Sequence, residues 1–306
     1  MRMMFLYQIA LHLLRQVRFK VALIVRGKEE SHKGLNLVTY DLEPKKRVNS
    51  PKYNLTIATL TLNPGTYIEE WLEFHLSQGV EHFYIYDQLS SDDTLQKLSG
   101  YIKGGKVTVI PWPNVFGIGT QILAFAHAIS TYWRDSRWIA LIDIDEFIFP
   151  SIKKTVTEAL AELEEFSAIY LHWRCFGPSG HMKRPDGYVI RNFTHMAKVP
   201  KEFGSMRGDL TRIKAIIDPS RCTLVKVHGS KVQGEVLDSP IGLKLNHYIT
   251  LSEEEFENKL NRGLVESPWG NKKNADSWAK KRVAQFKYIS ENYEINTDIS
   301  KYDFLP

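Results

Sequence analysis

Asp143 and Asp145, one residue apart and followed directly by Glu146, interrupt an otherwise apolar stretch from Trp138 to Pro150. The run Trp138 to Ile142 reads as a strand covered on both faces, the usual state of a central strand in an α/β sheet. Aspartate is a poor strand residue and is rarely buried without a partner, so two at the end of such a strand need compensation. A divalent ion that prefers oxygen ligands, Mn2+ or Mg2+, would supply it. In extended chain, residues i and i+2 point to the same side. Asp143 and Asp145 are therefore expected to face one ion or one phosphate–metal pair. The competing reading is a strand-end turn with solvated carboxylates, against which the apolar flanks weigh. Further polar candidates stand where other strands end, Asn63, Asp87 with Ser90 and Ser91, and His228, and His247 lies within a later apolar strand.

The elements that must position these groups alternate. Strands are expected at Asn54 to Leu62, Glu81 to Tyr86, Lys106 to Ile110 and Trp138 to Ile142. Helices are expected at Tyr67 to Leu76, from Thr94 onward, and at Gln121 to Trp133. Asn63-Pro64-Gly65 is a turn. Alternation at this pace predicts parallel strands with crossover helices, and ligands of such sheets bind beyond the carboxyl ends of the strands. Neither a G-x-G-x-x-G fingerprint nor a phosphate-binding P-loop is present at any of these ends.

Downstream, Thr155 to Phe166 reads as a surface helix and Ala168 to Cys175 as a strand. Residues 176–181 form a polar loop, and Tyr188 to Phe193 reads as another strand. Arg212 to Ile217 and Thr223 to His228 read as paired strands joined through Asp218-Pro219, and Leu243 to Thr250 as a last strand. Ser252 with Glu255 reads as a capping box, and Ser277 to Tyr293 as a final helix. The expected organisation is an extension over 1–52, an α/β domain over 53–250 and a helical segment over 251–306.

The chain has 306 residues, is 43% hydrophobic and 12% aromatic, and carries a net charge of +5. That is enough apolar material for a sizeable core. Its 40 basic residues are interspersed with 35 acidic ones, which is not the pattern of a nucleic-acid binder. The two cysteines, Cys175 and Cys222, form no disulfide framework or zinc motif and point to a reducing cytoplasm. Met3 to Leu14 is too short to span a membrane, and no small-residue cleavage site follows it. It reads as an amphipathic helix that packs on the domain or rests on a membrane surface, with peripheral contact through residues 1–20. A hairpin is expected from Val21 to Tyr40.

Taken in order, these segments resemble the inverting, metal-dependent glycosyltransferases of the GT-A fold, in particular the bacterial family-2-like branch related to family 92. The likeness rests on Asn63 with Tyr67 to His75, and on Gly79 to Asp87 with Ser90, Asp92 and Thr94. It continues through Gln121 with Ala124, His127 and Ala128, the Asp143-to-Phe147 segment, Phe176 to His181, and Pro185-Asp186-Gly187. Asn246-His247-Tyr248 with Ser252, Glu255 and Phe256 completes it, over roughly residues 55 to 265. The chain departs from the pattern at Leu62-Asn63-Pro64, usually Lys-Asn-Glu, and at Gln88, where Asn is common.

The resemblance implies a GT-A type sheet, mostly parallel and flanked by helices, with a smaller antiparallel part and C-terminal helices. It implies transfer of a sugar, of the hexosyl type, from a nucleotide-sugar, expected to be a UDP-sugar. The acceptor would be a glycan or lipid-linked hydroxyl, in cell-surface polysaccharide biosynthesis at the inner face of the membrane. Asp145 would hold the metal and Asp143 would contact the ribose or share the ion. A later histidine, His228 in preference to His247, would add a ligand. Asn63, Asp87, Gln121 and His127 would contact the donor. Asp186 would be the general base, with His181 and Glu146 as alternatives. Trp112 and Trp173 are aromatic faces for sugar or base, or simply core. Two other classes remain open on the sequence: a nucleotidyltransferase, and a non-catalytic carbohydrate-binding or assembly protein of the same fold.

Overall fold

The structure, a computed structural model, describes residues 40–113, 119–202, 204–262 and 272–302. The amphipathic helix, the membrane contact assigned to residues 1–20 and all of the hairpin but Tyr40 lie outside them. The first half of the described chain runs β1 (Tyr40–Asp41), β2 (Tyr53–Thr61), α1 (Ile68–Ser77), β3 (His82–Asp87), α2 (Thr94–Lys103), β4 (Val107–Pro111), α3 (Thr120–Tyr132) and β5 (Ser136–Leu141). It continues through β6 (Glu146–Pro150), α4 (Val156–Ala161), β7 (Ala168–Cys175), α5 (Val189–Asn192), β8 (His195–Ala197), α6 (Ser205–Leu210) and β9 (Ile213–Ile217). Then follow β10 (Cys222–Val225), β11 (Lys231–Val232), β12 (Val236–Asp238), β13 (Leu243–His247), α7 (Glu253–Arg262), α8 (Lys272–Glu291) and β14 (Tyr293–Ile295).

The main sheet has the order β4-β3-β2-β5-β9-β7-β13-β6, with β12 also on β7. The β4, β3, β2 and β5 strands are mutually parallel, as the alternation of helices and strands requires. The β9 strand then runs antiparallel to both β5 and β7, β13 is parallel to β7 and β6 is antiparallel to β13. The fold is therefore mixed α/β, with a mainly parallel sheet flanked by helices.

Side chains alternate between two cores with the period of a strand. Leu55 and Ile57 of β2, Phe83 and Ile85 of β3, and Trp138 and Ala140 of β5 face a cluster with Trp71 and Phe74 of α1. Ala58, Tyr84, Tyr86, Ile139 and Leu141 face the opposite cluster with Phe125 of α3. Both faces are covered, which is why these strands read as unbroken apolar runs.

Only residues 142–145 separate β5 from β6, although β9, β7 and β13 intervene in the sheet. Strands spaced about 4.8 Å apart cannot be bridged flat by so few residues at about 3.4 Å each. The sheet must curl, and the link lies inside the bend.

Two local expectations are corrected. Residues 188–193 contain the short helix α5 rather than a strand. The Glu70 carboxylate accepts hydrogen bonds from the Val189 and Ile190 N–H groups at 2.9 and 3.2 Å, so tertiary contact sets the backbone there. The helix expected from Thr155 to Phe166 is only α4, begun by Thr155 accepting from Glu158 N–H. Cys175 and Cys222 are free and buried. Among the described residues, no helix is long and apolar enough to cross a membrane.

Candidate active site

The candidate site is built on the link between β5 and β6. Glu146 N–H donates to the Asp143 carbonyl at 3.1 Å, which closes a turn over Asp143-Ile144-Asp145. The extended geometry expected for the two aspartates is therefore absent. The turn sends them to different partners, so they do not share one face.

Asp143 is held from two elements. Gln121, at the start of α3, donates to Asp143 Oδ1 at 2.5 Å, and Lys214 Nζ of β9 donates to Oδ2 at 2.8 Å. Lys214 is fully buried and lies 3.6 Å from Glu146 Oε2. Burial opposes its charge, but Asp143 and Glu146 outweigh burial and hold the ammonium above its usual range. Glu146 is also fully buried. Its Oε2 accepts from Asp143 N–H at 2.7 Å and its Oε1 from Trp173 Nε1 at 2.6 Å. Burial pushes the Glu146 carboxyl well above the carboxylate range, against the pull of Lys214.

Asp145 faces the other way. Its Oδ1 lies 3.5 Å from His247 Nε2 at the end of β13, and its Oδ2 lies 3.4 Å from Lys259 Nζ of α7. Burial would raise this carboxyl, but His247, Lys259 and Lys214 hold it well below the usual range. Burial in turn lowers His247, against the pull of Asp145. The His247 ring packs 4.1 Å from Trp173, and its Nδ1 is buried without a partner. The Asp145 carbonyl accepts from Tyr248 N–H at 2.9 Å, fastening the turn to β13.

Of the two candidate histidines it is His247, and not the preferred His228, that the structure pairs with Asp145. His228 Nδ1 lies 3.1 Å from the Ile213 carbonyl and Nε2 lies 3.3 Å from Arg212 Nη1. Burial, Lys214 and Arg212 lower His228 to about 4. Among the described residues, no three His, Cys, Asp or Glu side chains come together to hold a metal.

The remaining candidates divide between loop fasteners and core. Asn63 sits at φ 53° and its Oδ1 accepts from Ser91 N–H at 2.7 Å, while its own N–H donates to Ser90 Oγ at 2.8 Å. Asp87 accepts from Ser90 N–H and Oγ. Together they lock the loops after β2 and β3 to one another. His127 is in the core: its Nδ1 pairs with Tyr86 Oη at 2.8 Å, and burial lowers it to about 4. Trp112 packs edge-on against Tyr86 at 5.1 Å.

His181 Nε2 lies 3.2 Å from the Asn192 carbonyl. Asp186 is exposed on a turn completed by Gly187 at φ 91°, and its carbonyl accepts from Asn192 Nδ2 at 2.9 Å. Nearby in sequence, Arg184 lies over the Tyr67 ring at 5.2 Å, and Tyr67 Oη bonds Glu255 of α7.

Sequence reasoning missed Lys214 and Lys259. Lys214 was detectable, since it interrupts the apolar run Ile213 to Ile217 as Asp143 interrupts its own. Lys259 lies on a polar helix and carries no such mark.

Residues 57–293 match the sequence model of glycosyltransferase family 92. A family 92 protein of Ricinus communis is 27% identical over 275 residues, covering 84% of this chain and 47% of its own length. Family 92 proteins of Oryza sativa and Arabidopsis thaliana are each 26% identical, covering 77% and 73% of this chain and 41% and 40% of their own lengths. The chain thus spans less than half the length of these relatives. Among solved structures, S. aureus TarS 1-349 in complex with UDP-GlcNAc aligns at TM-score 0.38 and 15% identity, over 77% of this chain and 72% of that one. Glucosyl-3-phosphoglycerate synthase of Mycobacterium tuberculosis, in complex with Mn2+, UDP and glucosyl-3-phosphoglycerate, aligns at TM-score 0.28 and 16% identity, over 40% and 44%. At these scores neither likeness carries an argument.

Proposed function

The chain belongs to glycosyltransferase family 92, and from that premise we propose that it transfers a sugar from a UDP-sugar to a glycan or lipid-linked hydroxyl, with inversion and with a divalent ion. The observation that carries this reading is the Asp145–His247 pair beside a rigidly held Asp143. A carboxylate and an imidazole are ordinary ligands for Mn2+, and Asp145 Oδ1 and His247 Nε2 stand 3.5 Å apart. Asp145 and His247 would hold the ion. When bound, it supplies Lewis-acid compensation of the charge on the leaving diphosphate.

The chain's own residues do the rest. Lys214 and Gln121 fix the Asp143 carboxylate so that it can orient the ribose. Asn63, Asp87, Ser90 and Ser91 shape the loop on which the nucleoside lies. The general base must face the acceptor hydroxyl. Glu146 is enclosed by Trp173 and Lys214 and has no opening to an acceptor. Asp186, exposed on its turn, is assigned that role, and His181 anchors the loop that carries it. Two buried, unbridged cysteines support action in a reducing compartment, at the cytoplasmic face of the membrane.

A thermal-shift screen of nucleotide-sugars with Mn2+ present tests the reading, followed by a transfer assay on the donor that stabilises most. A UDP-sugar is expected to raise the unfolding temperature of the wild-type protein and not of Asp145→Asn. Absence of any nucleotide-sugar effect, or full activity of Asp145→Asn, would overturn it.

A further inference from the structure

The two aspartates of the turn are partnered by two very different lysines. Lys214 is fully buried and bonds Asp143 at 2.8 Å, the length of a well-formed charge-assisted hydrogen bond. Lys259 keeps 32% of its side chain exposed and stands 3.4 Å from Asp145 Oδ2. Its second contact, the Ile249 carbonyl, is at 3.2 Å. Both distances are long for an ammonium. On the other carboxylate oxygen His247 is equally distant, at 3.5 Å. The first pair is a permanent part of the interior, whereas the second is loose and open to solvent.

We propose that Lys259 is a displaceable counter-ion for Asp145, balancing its charge from Oδ2 until metal and nucleotide arrive and then turning its ammonium to the diphosphate. This rests on the metal reading above. Charge supports it: a carboxylate only 23% exposed is stabilised by a cation beside it. An ion held between Asp145 Oδ1 and His247 Nε2 would share one carboxylate with the ammonium on Oδ2; two cations so close repel one another, so the ammonium must leave. Lys259 can leave because its stem is long and its head reaches water. Lys214 cannot, being fully enclosed by Asp143 and Glu146. The position of Lys259 on α7 is set by the capping box, in which Ser252 Oγ donates to Glu255 Oε2 at 2.6 Å. The lysine therefore returns to the same place when the ligands depart. A site built this way binds bare metal weakly and metal with nucleotide well, so the two bind together.

Mn2+ binding followed by electron paramagnetic resonance, without and with UDP, tests this in the full chain. Lys259→Met should bind Mn2+ alone at least about tenfold more tightly than wild type, a change of about 1.4 kcal/mol. It should also lose most of the gain in Mn2+ affinity that UDP gives the wild-type protein. Lys259→Arg should keep the wild-type ordering. Wild-type Mn2+ binding that Asp145→Asn abolishes but Lys259→Met leaves unchanged or weakens would overturn the counter-ion role alone. Absence of Mn2+ binding to wild type and Lys259→Met alike would overturn the metal reading and this inference together.

Discussion

Lys214 shows how a single residue decides what an aspartate can do. Its ammonium is fully buried between Asp143 and Glu146. Removing one partner of a buried ion pair leaves an uncompensated charge, which costs about 3–5 kcal/mol. Lys214→Met should therefore lower stability by about that much in urea denaturation; a loss below about 1 kcal/mol would show that the pair contributes little. At Asp186 the expected change is catalytic. Asp186→Asn should lower turnover by about 10²-fold or more with donor affinity near wild type, read by steady-state kinetics beside a donor titration. Loss of donor affinity would place Asp186 in binding instead. The pair Asp143 and Asp145 was legible in the sequence because charge at the end of an apolar run demands a partner. Which partner was not legible: the turn closed by the Glu146 N–H sends the two carboxylates apart, and Lys214, His247 and Lys259 reach them from β9, β13 and α7.

At the scale of elements, the four parallel strands were readable because each is apolar on both faces and separated from the next by a helix or loop. The return half of the sheet was not. The antiparallel insertion of β9 between β5 and β7 is a long-range pairing with no local mark. The α5 helix was misread for a related reason, since its first N–H groups are satisfied by Glu70 on α1. Glu70 makes this joint sensitive to pH. Burial raises its carboxyl to about 7, against the pull of the two N–H bonds and of Arg184 and Arg191. A carboxyl raised on folding favours the folded state while protonated. That contribution is complete below the unfolded value near 4.5 and is lost as pH rises through about 7. Wild-type stability should fall relative to Glu70→Gln between pH 4.5 and pH 7.5 by at most about 3 kcal/mol, measured by chemical denaturation at each pH. A difference that stays flat with pH would contradict this.

Across the whole molecule, the C-terminal segment ties the site's loops to the far edge of the sheet. Ile289 of α8 lies where a Cβ on Gly177 would meet it at 2.5 Å, so the loop that leads to Asp186 packs directly on that helix. β14 pairs with β8, Asp298 bridges Arg174 and Lys244 at 3.2 and 2.8 Å, and Tyr302 Oη donates to the Pro150 carbonyl at 2.6 Å. The site is thus assembled from segments far apart in sequence, on a curled sheet that the C-terminal segment braces. Its central chemical claim is that Asp145 and His247 hold a divalent ion through which the nucleotide binds. Calorimetric titration of UDP into the protein, with Mn2+ and with excess chelator, tests that most directly. UDP should bind the wild-type chain only with Mn2+, and His247→Ala should weaken that binding by about tenfold or more, about 1.4 kcal/mol. UDP binding of equal strength in chelator, or undiminished in His247→Ala, would contradict the account.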